Sequence, residues 1–213
     1  MKKIRKYGLT CILIIAIALT WSSIVFSQTK YASCYGFRYS ASENTRRDAT
    51  NAARSYEIAG YVSFANHDYP ANVALSNLTT DDIFFFSGHA SSELLQFYNG
   101  STTSNMTRTQ VGNRNLNRMR LAVLGGCRTA SGTNNITRTF NLQGADCSIG
   151  WTTTTTFIRH SFWLDYFNYY LEIGQTVNQA RQNADATLAL IFGSDVGGTN
   201  NHRIYGSGST KIN

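Results

Sequence analysis

Cysteine is scarce in this chain, and what there is fits no stapled framework. The 213 residues include 4 cysteines, namely Cys11, Cys34, Cys127 and Cys147. Cys11 falls in an amino-terminal apolar segment treated below, which leaves an odd number, too few for a disulfide scaffold. At least one thiol is therefore expected to be free unless it pairs with another molecule. Cys34 and Cys147 are open to a bridge or to simple burial, since unpaired cysteine is among the most buried residue types. Cys127 is the one expected to stay reduced. No cysteine pair has metal-ligand spacing, and His67, His89, His160 and His202 are scattered, so neither a metal nor a cofactor is expected. The G-x-S-x-G elbow of serine hydrolases is missing. So is any basic run with interleaved aromatics, which argues against nucleic acid as a partner.

The positive charge is misleading at first sight. Of 19 basic residues against 12 acidic ones, four (Lys2, Lys3, Arg5 and Lys6) crowd the amino terminus. Beyond them only a modest surplus remains. Those four precede an apolar core from Leu9 to Ala18, and Val25 and Ser27 put small residues before a cut ahead of Gln28. This is the anatomy of a secretory signal peptide, residues 1–27. An uncleaved anchor is the competing reading, weakened by Thr10, Thr20, Ser22 and Ser23. The expectation is a secreted or cell-surface protein, with no membrane contact beyond the leader. Residues 28–213 fit one domain with a sizeable core.

What is present is strands alternating with helices. Tyr31–Phe37 is β-rich, and from about Asn44 to Ala59 a Gly- and Pro-free stretch puts Ala49, Ala52, Ala53, Tyr56 and Ala59 on one helical face. A second strand is expected over Tyr61–Phe64 and a short helix over Asn72–Leu78, with Pro70 at its start. Ser92–Tyr98 reads as a strand running into a hairpin turn at Asn99-Gly100. Ser101–Asn117 reads as a long polar loop open to cleavage. Further on come a helix over Asn135–Leu142, a strand over Cys147–Trp151, helices over Phe157–Ile173 and Thr176–Phe192, and a last strand near His202–Tyr205. The aromatic stripe of Phe157, Phe162, Trp163, Tyr166, Phe167, Tyr169 and Tyr170 reads as core packing. The pattern points to a three-layer α/β domain with a mostly parallel central sheet.

Two short apolar runs carry the chemistry. Ile83-Phe84-Phe85-Phe86-Ser87-Gly88-His89-Ala90 ends at a histidine, and Leu121-Ala122-Val123-Leu124-Gly125-Gly126-Cys127 ends at a cysteine. Each is too short for a helix and lacks polar alternation, as expected of strands buried on both faces. Their carboxyl ends then share one rim of the sheet, where reacting groups of open α/β folds gather. A thiol beside an imidazole is a nucleophile beside its base.

The order Phe-Ser-Gly-His, then Cys-x-Thr-Ala, then Gly144-Ala145-Asp146 leading into Ile149-Gly150-Trp151 resembles the caspase-fold (clan CD) cysteine peptidases, closest to their CHAT-type and gingipain-like branches. The resemblance spans roughly Tyr31 to Tyr205. It implies a caspase-like α/β/α fold, with Cys127 as nucleophile and His89 as general base and acid. It also implies an oxyanion site made by the backbone N–H groups of Ala90 and Cys127, and a protein or peptide substrate. Ala90 stands where the family has glycine, and Gly126 where it often has alanine. No third group orienting the histidine is evident.

By position, the side chain before the cut bond would be held near Arg38–Glu43 and near Trp151-Thr152. Trp151 reads equally as a pocket wall or as core. Asp146 reads as a partner for a basic side chain or as a turn cap. A catalytically silent caspase-like module that binds a partner at the cell surface is the alternative to a peptidase.

Overall fold

The computed structural model describes residues 28–193 and 201–213. The leader expected over residues 1–27 lies outside the described residues. A six-stranded sheet is built from β1 (Tyr31–Gly36), β2 (Val62–His67), β3 (Ile83–Ser87), β6 (Leu121–Gly125), β7 (Cys147–Trp151) and β8 (His202–Gly206), in the order β2-β1-β3-β6-β7-β8. The first five run parallel, and β8 closes one edge antiparallel to β7. The hairpin of β4 (Leu94–Tyr98) and β5 (Thr103–Thr107) stands apart.

Period-two alternation sends successive side chains to opposite faces, so the central strands feed two cores. Cys34, Phe85, Val123, Ile149 and Trp151 face one layer, made of α1 (Arg46–Ile58), α5 (Phe157–Glu172) and α6 (Val177–Phe192). Tyr35, Phe84, Phe86, Ala122 and Leu124 face the other, made of α2 (Ala71–Asn77), α3 (Arg108–Gly112), α4 (Ile136–Leu142) and the hairpin. Every residue of β3, β6 and β7 is buried, which is why these strands read as unbroken apolar runs. In α5 the buried face includes Trp163, Leu164, Phe167 and Leu171. Of the aromatic stripe Trp163 and Phe167 are core, and Tyr166 and Tyr170 pack against it. Phe157, Phe162 and Tyr169 are exposed instead, because the stripe runs around more than the sheet-facing side of the helix.

Local chemistry fixes several boundaries. The Asn135 side chain accepts from Arg138 N–H at the start of α4, and Thr176 and Gln179 form a reciprocal capping box on α6. Gly100, at φ 91, turns the hairpin where Asn99-Gly100 predicted it. The span Ser101–Asn117 is more ordered than a cleavable loop. Met106 of β5 points into the second core, and a capping box of Thr107 and Gln110 starts α3. Among the described residues no helix is long and apolar enough to cross a membrane.

Candidate active site

β1 lies between β2 and β3, so the chain leaves it first to one side and then to the other. A parallel sheet opens a crevice at such a reversal, beyond the carboxyl ends of its strands. Phe37 to Tyr39 leave β1 there, Gly88-His89 leave β3, and Gly126-Cys127 leave β6. Gly88 N–H donates to Gly125 O at 2.9 Å, tying the last two loops together. Their contact depends on Gly126: a Cβ there would stand 2.6 Å from Ala90 Cβ and 2.7 Å from Gly88 O. The glycine before each polar residue is thus a packing requirement.

Past the sulfur the chain turns sharply. Arg128 has a φ of 60°, an uncommon backbone for a non-glycine residue and one that clusters at functional sites. The turn is fastened to the end of β7: Arg128 N–H donates to Thr153 O at 3.0 Å and Ala130 N–H to Trp151 O at 2.8 Å. Thr129, fully buried, accepts from Trp151 N–H at 3.0 Å and donates to Leu124 O at 2.9 Å. These bonds hold Cys127 at the rim.

The resulting cleft encloses about 400 Å³, lined by Tyr39, Glu43, Thr45, Gly88, His89, Gly126, Cys127, Thr154, Thr155, Phe157 and His160. The His89 side chain is 51% exposed, with its Nε2 3.5 Å from Glu43 Oε2. Its ring leans on Tyr39, 4.5 Å between centroids. Tyr39 is itself pinned, its hydroxyl donating to Gln96 O at 2.5 Å, and burial raises its phenol pKa, keeping it a neutral donor.

The sulfur is half-buried. Thr155 N–H points to Cys127 Sγ at 3.5 Å, and Thr155 O lies 3.9 Å away. The first favours a thiolate and the second accepts from a thiol. Among the described residues, neither Ala90 N–H nor Cys127 N–H has a hydrogen-bond partner. Two free donors beside a sulfur are what a developing oxyanion needs.

Beneath the cleft the polar groups are buried. His160 lies against Gly125, where a Cβ would come 3.0 Å from its Nε2. Neither ring nitrogen makes a hydrogen bond, and burial lowers its pKa to about 4. Asp48 accepts from Ser87 Oγ at 2.6 Å and from Ser161 Oγ, and burial raises its pKa to about 6. Thr45 Oγ1 donates to Ser87 O at 2.6 Å and accepts from Phe37 N–H at 2.9 Å. The start of α1 thereby braces both the histidine strand and the end of β1.

His89, Ala90 and Cys127 are brought to one place, and Tyr39 and Glu43 from the Arg38–Glu43 neighbourhood join them. Three of the expected substrate-binding residues are not. Trp151 is fully buried, its ring 4.6 Å from that of His160, 4.8 Å from that of His202 and 5.1 Å from that of Trp163. It is core, because the last inward position of β7 faces α5. Thr152 faces a neighbouring depression with Arg128, Ser131 and Asn201. Asp146 precedes a parallel strand and so sits at the amino rim, the opposite end of the sheet, where its N–H donates to Met119 O at 2.9 Å. Thr155, Phe157 and His160 line the cleft unforeseen. Only the threonine run after β7 hinted at them.

Among the described residues, Cys34 and Cys147 are buried and unbridged. Burial raises the Cys34 pKa well above the ordinary thiol range and that of Cys147 to about 12. Of the three described thiols, Cys127 alone meets solvent.

Among solved structures the chain is similar to gingipain R of Porphyromonas gingivalis, an Arg-specific cysteine proteinase. The TM-score is 0.69 at 12% identity, over 85% of this chain and 47% of that one. It is also similar to caspase-1 from Spodoptera frugiperda, with TM-score 0.54 and 10% identity over 86% of this chain and 90% of that one. A third likeness is to the Saccharomyces cerevisiae separase–securin complex, with TM-score 0.55 and 11% identity over 84% of this chain and 12% of that one. The chain thus spans about half the length of the gingipain chain. No protein-family model and no curated protein sequence matches it. The chain has the caspase-like fold, shared with cysteine peptidases of clan CD. The likeness supports that fold as a whole rather than its CHAT-type branch.

Proposed function

We propose that the protein is an exported cysteine endopeptidase acting on protein or peptide substrates through Cys127 and His89. The observation that carries this reading is the closing of the His89 and Cys127 loops onto one cleft beside two unpaired backbone N–H groups. The leader pattern of residues 1–27 supports export.

In this mechanism Cys127 Sγ attacks the substrate carbonyl carbon and its proton passes to His89. The carbonyl π pair moves to the oxygen, which the Ala90 and Cys127 N–H groups hold. Collapse of the tetrahedral adduct breaks the C–N bond, and His89 gives the proton to the departing amine. Water then attacks the thioester, losing a proton to His89, and the acid leaves as Sγ regains its proton. Glu43, 3.5 Å from His89 Nε2, is the group that orients the imidazole. In the free enzyme the sulfur's hydrogen-bond partners belong to Thr155. Catalytic hydrogen bonds commonly tighten only when substrate arrives.

Substitution of the nucleophile tests the proposal. Cys127→Ala is expected to lower hydrolysis of a mixed peptide library by about 10⁴-fold or more with the fold intact by circular dichroism. A library hydrolysed at the same rate by variant and wild type, or untouched by wild type, overturns it. The second result leaves the silent binding module.

A further inference from the structure

The turn that follows the nucleophile is ringed by arginines. Arg128 is exposed at its start, Arg203 Nη1 donates to Gly132 O at 3.0 Å, and Arg138 Nη1 donates to Thr133 O at 2.9 Å. None of the three has an ion-pair partner among the described residues. The backbone of Arg128 is held on both sides, its N–H by Thr153 O at 3.0 Å and its C=O by Ser131 N–H at 2.9 Å, while its guanidinium makes no hydrogen bond among the described residues. The cation is fixed at its root and free at its tip.

Beside it lies a shallow depression lined by Arg128, Ser131, Thr152, Thr153, Thr154 and Asn201, with no carboxylate among them. Two of the hydroxyls are taken, Thr152 Oγ1 donating to Asn201 O at 3.0 Å and Thr153 Oγ1 accepting from Asn201 Nδ2 at 3.4 Å. Those of Ser131 and Thr154 have no partner among the described residues. A free cation with two open hydroxyls suits an anion, and the planar fork of arginine matches a carboxylate. Thr154 also lines the catalytic cleft, so cleft and depression share a wall. Thr155, next in the chain, has its N–H 3.5 Å from Cys127 Sγ. An extended chain advances about 3.3 Å per residue, so a substrate leaving the cleft over Thr154 carries a side chain two or three residues from the cut bond to Arg128.

We propose, resting on the peptidase reading above, that this depression holds an acidic side chain of the substrate, its carboxylate on the Arg128 guanidinium. Arg138 and Arg203 add positive potential around it. The other flank of the cleft is unlike this one: there Glu43 lies 3.5 Å from His89 Nε2 and repels a second carboxylate. Charge therefore directs the acidic part of the substrate toward β7 and β8.

Hydrolysis of a positional-scanning peptide library capped at both ends, so that side chains supply the only carboxylates, tests the proposal. Wild type is expected to favour Asp and Glu about tenfold over Asn and Gln at a position two or three residues from the cut, and the preference is expected to fade at high salt. Arg128→Asn, whose side chain tolerates the left-handed backbone, is expected to abolish it. Arg128→Lys is expected to keep part of it, and Arg128→Glu to turn it toward Lys and Arg. Binding of fluorescent acidic peptides to Cys127→Ala, with and without Arg128→Asn, reads the same contact without turnover. A library cleaved with no acidic preference, or with one that survives Arg128→Asn, overturns the subsite and leaves the peptidase standing. A library untouched by wild type, with acidic peptides bound through Arg128, keeps the subsite and overturns the peptidase. Neither cleavage nor binding overturns both.

Discussion

The two ends of the parallel strands are built from the same kinds of residue to opposite purposes. At the amino rim polar groups answer one another. Asp82 accepts from Tyr31 N–H at 2.8 Å and from Arg118 Nη2 at 2.9 Å, and Arg120 donates to Lys211 O at 2.8 Å. The Asp146 carbonyl accepts from Ser207 N–H at 2.8 Å. At the carboxyl rim they are left open: two backbone N–H groups without partners, a half-exposed imidazole, a left-handed Arg128 and a buried His160 with neither nitrogen bonded. Of these groups His160 is the buried one, where an unsatisfied polar atom costs about 1–3 kcal/mol. The other open groups at this rim are where a ligand can reach them.

Removing what supports the open rim has the largest expected effect on stability. Trp151→Ala, emptying the space among His160, Trp163 and His202, is expected to destabilise by about 3–5 kcal/mol, read from chemical denaturation. Gly126→Val drives side-chain atoms into Ala90 and Gly88. It is expected to cost about 1–3 kcal/mol and, by parting the two loops, to lower Cys127 alkylation at least tenfold, a loss that stability alone does not produce.

The amino rim is not wholly closed, and Asp81 there gives a pH signature. Asp81 Oδ2 is buried without a partner, and burial raises its pKa from 3.8 to about 7. A raised carboxyl pKa means the folded state holds its proton more tightly than the unfolded one, so the stabilisation is present below about pH 4 and is lost as pH rises through 7. Asp81→Asn is expected to flatten that decline, making the variant more stable than wild type at pH 8 by about 1–2 kcal/mol. Urea titrations at several pH values read the difference. The smallest effect is expected from Asp146→Ala, which leaves peptide hydrolysis within about twofold of wild type because the cleft is at the other end of the strand. A loss there comparable to that of Gly126→Val would erase the distinction between the rims.

Much of this was legible in the chain itself. β3, β6 and β7 announce themselves because strands buried on both faces need no polar alternation, and His89 and Cys127 stand out as the polar residues that end two of them. β5 did not, since only Met106 of its residues is buried and the rest read as loop. Trp151 and Asp146 flank one strand, and spacing alone does not reveal which way a side chain at a strand end points. The structure turns Trp151 into the helical layer and strands Asp146 at the far rim. Glu43 reaches the cleft from the connection after β1, Thr155 from the connection after β7 and His160 from the first turn of α5, a convergence that local pattern does not encode.

The most direct test of the central claim, that imidazole and thiol act together at the carboxyl rim, is the alkylation rate of Cys127 near pH 6 in wild type and in His89→Ala. Wild type is expected to label at Cys127 well ahead of the buried Cys34 and Cys147, and the variant about tenfold or more slowly, because the reactive thiolate depends on its neighbour. Equal rates in the two proteins would contradict the account.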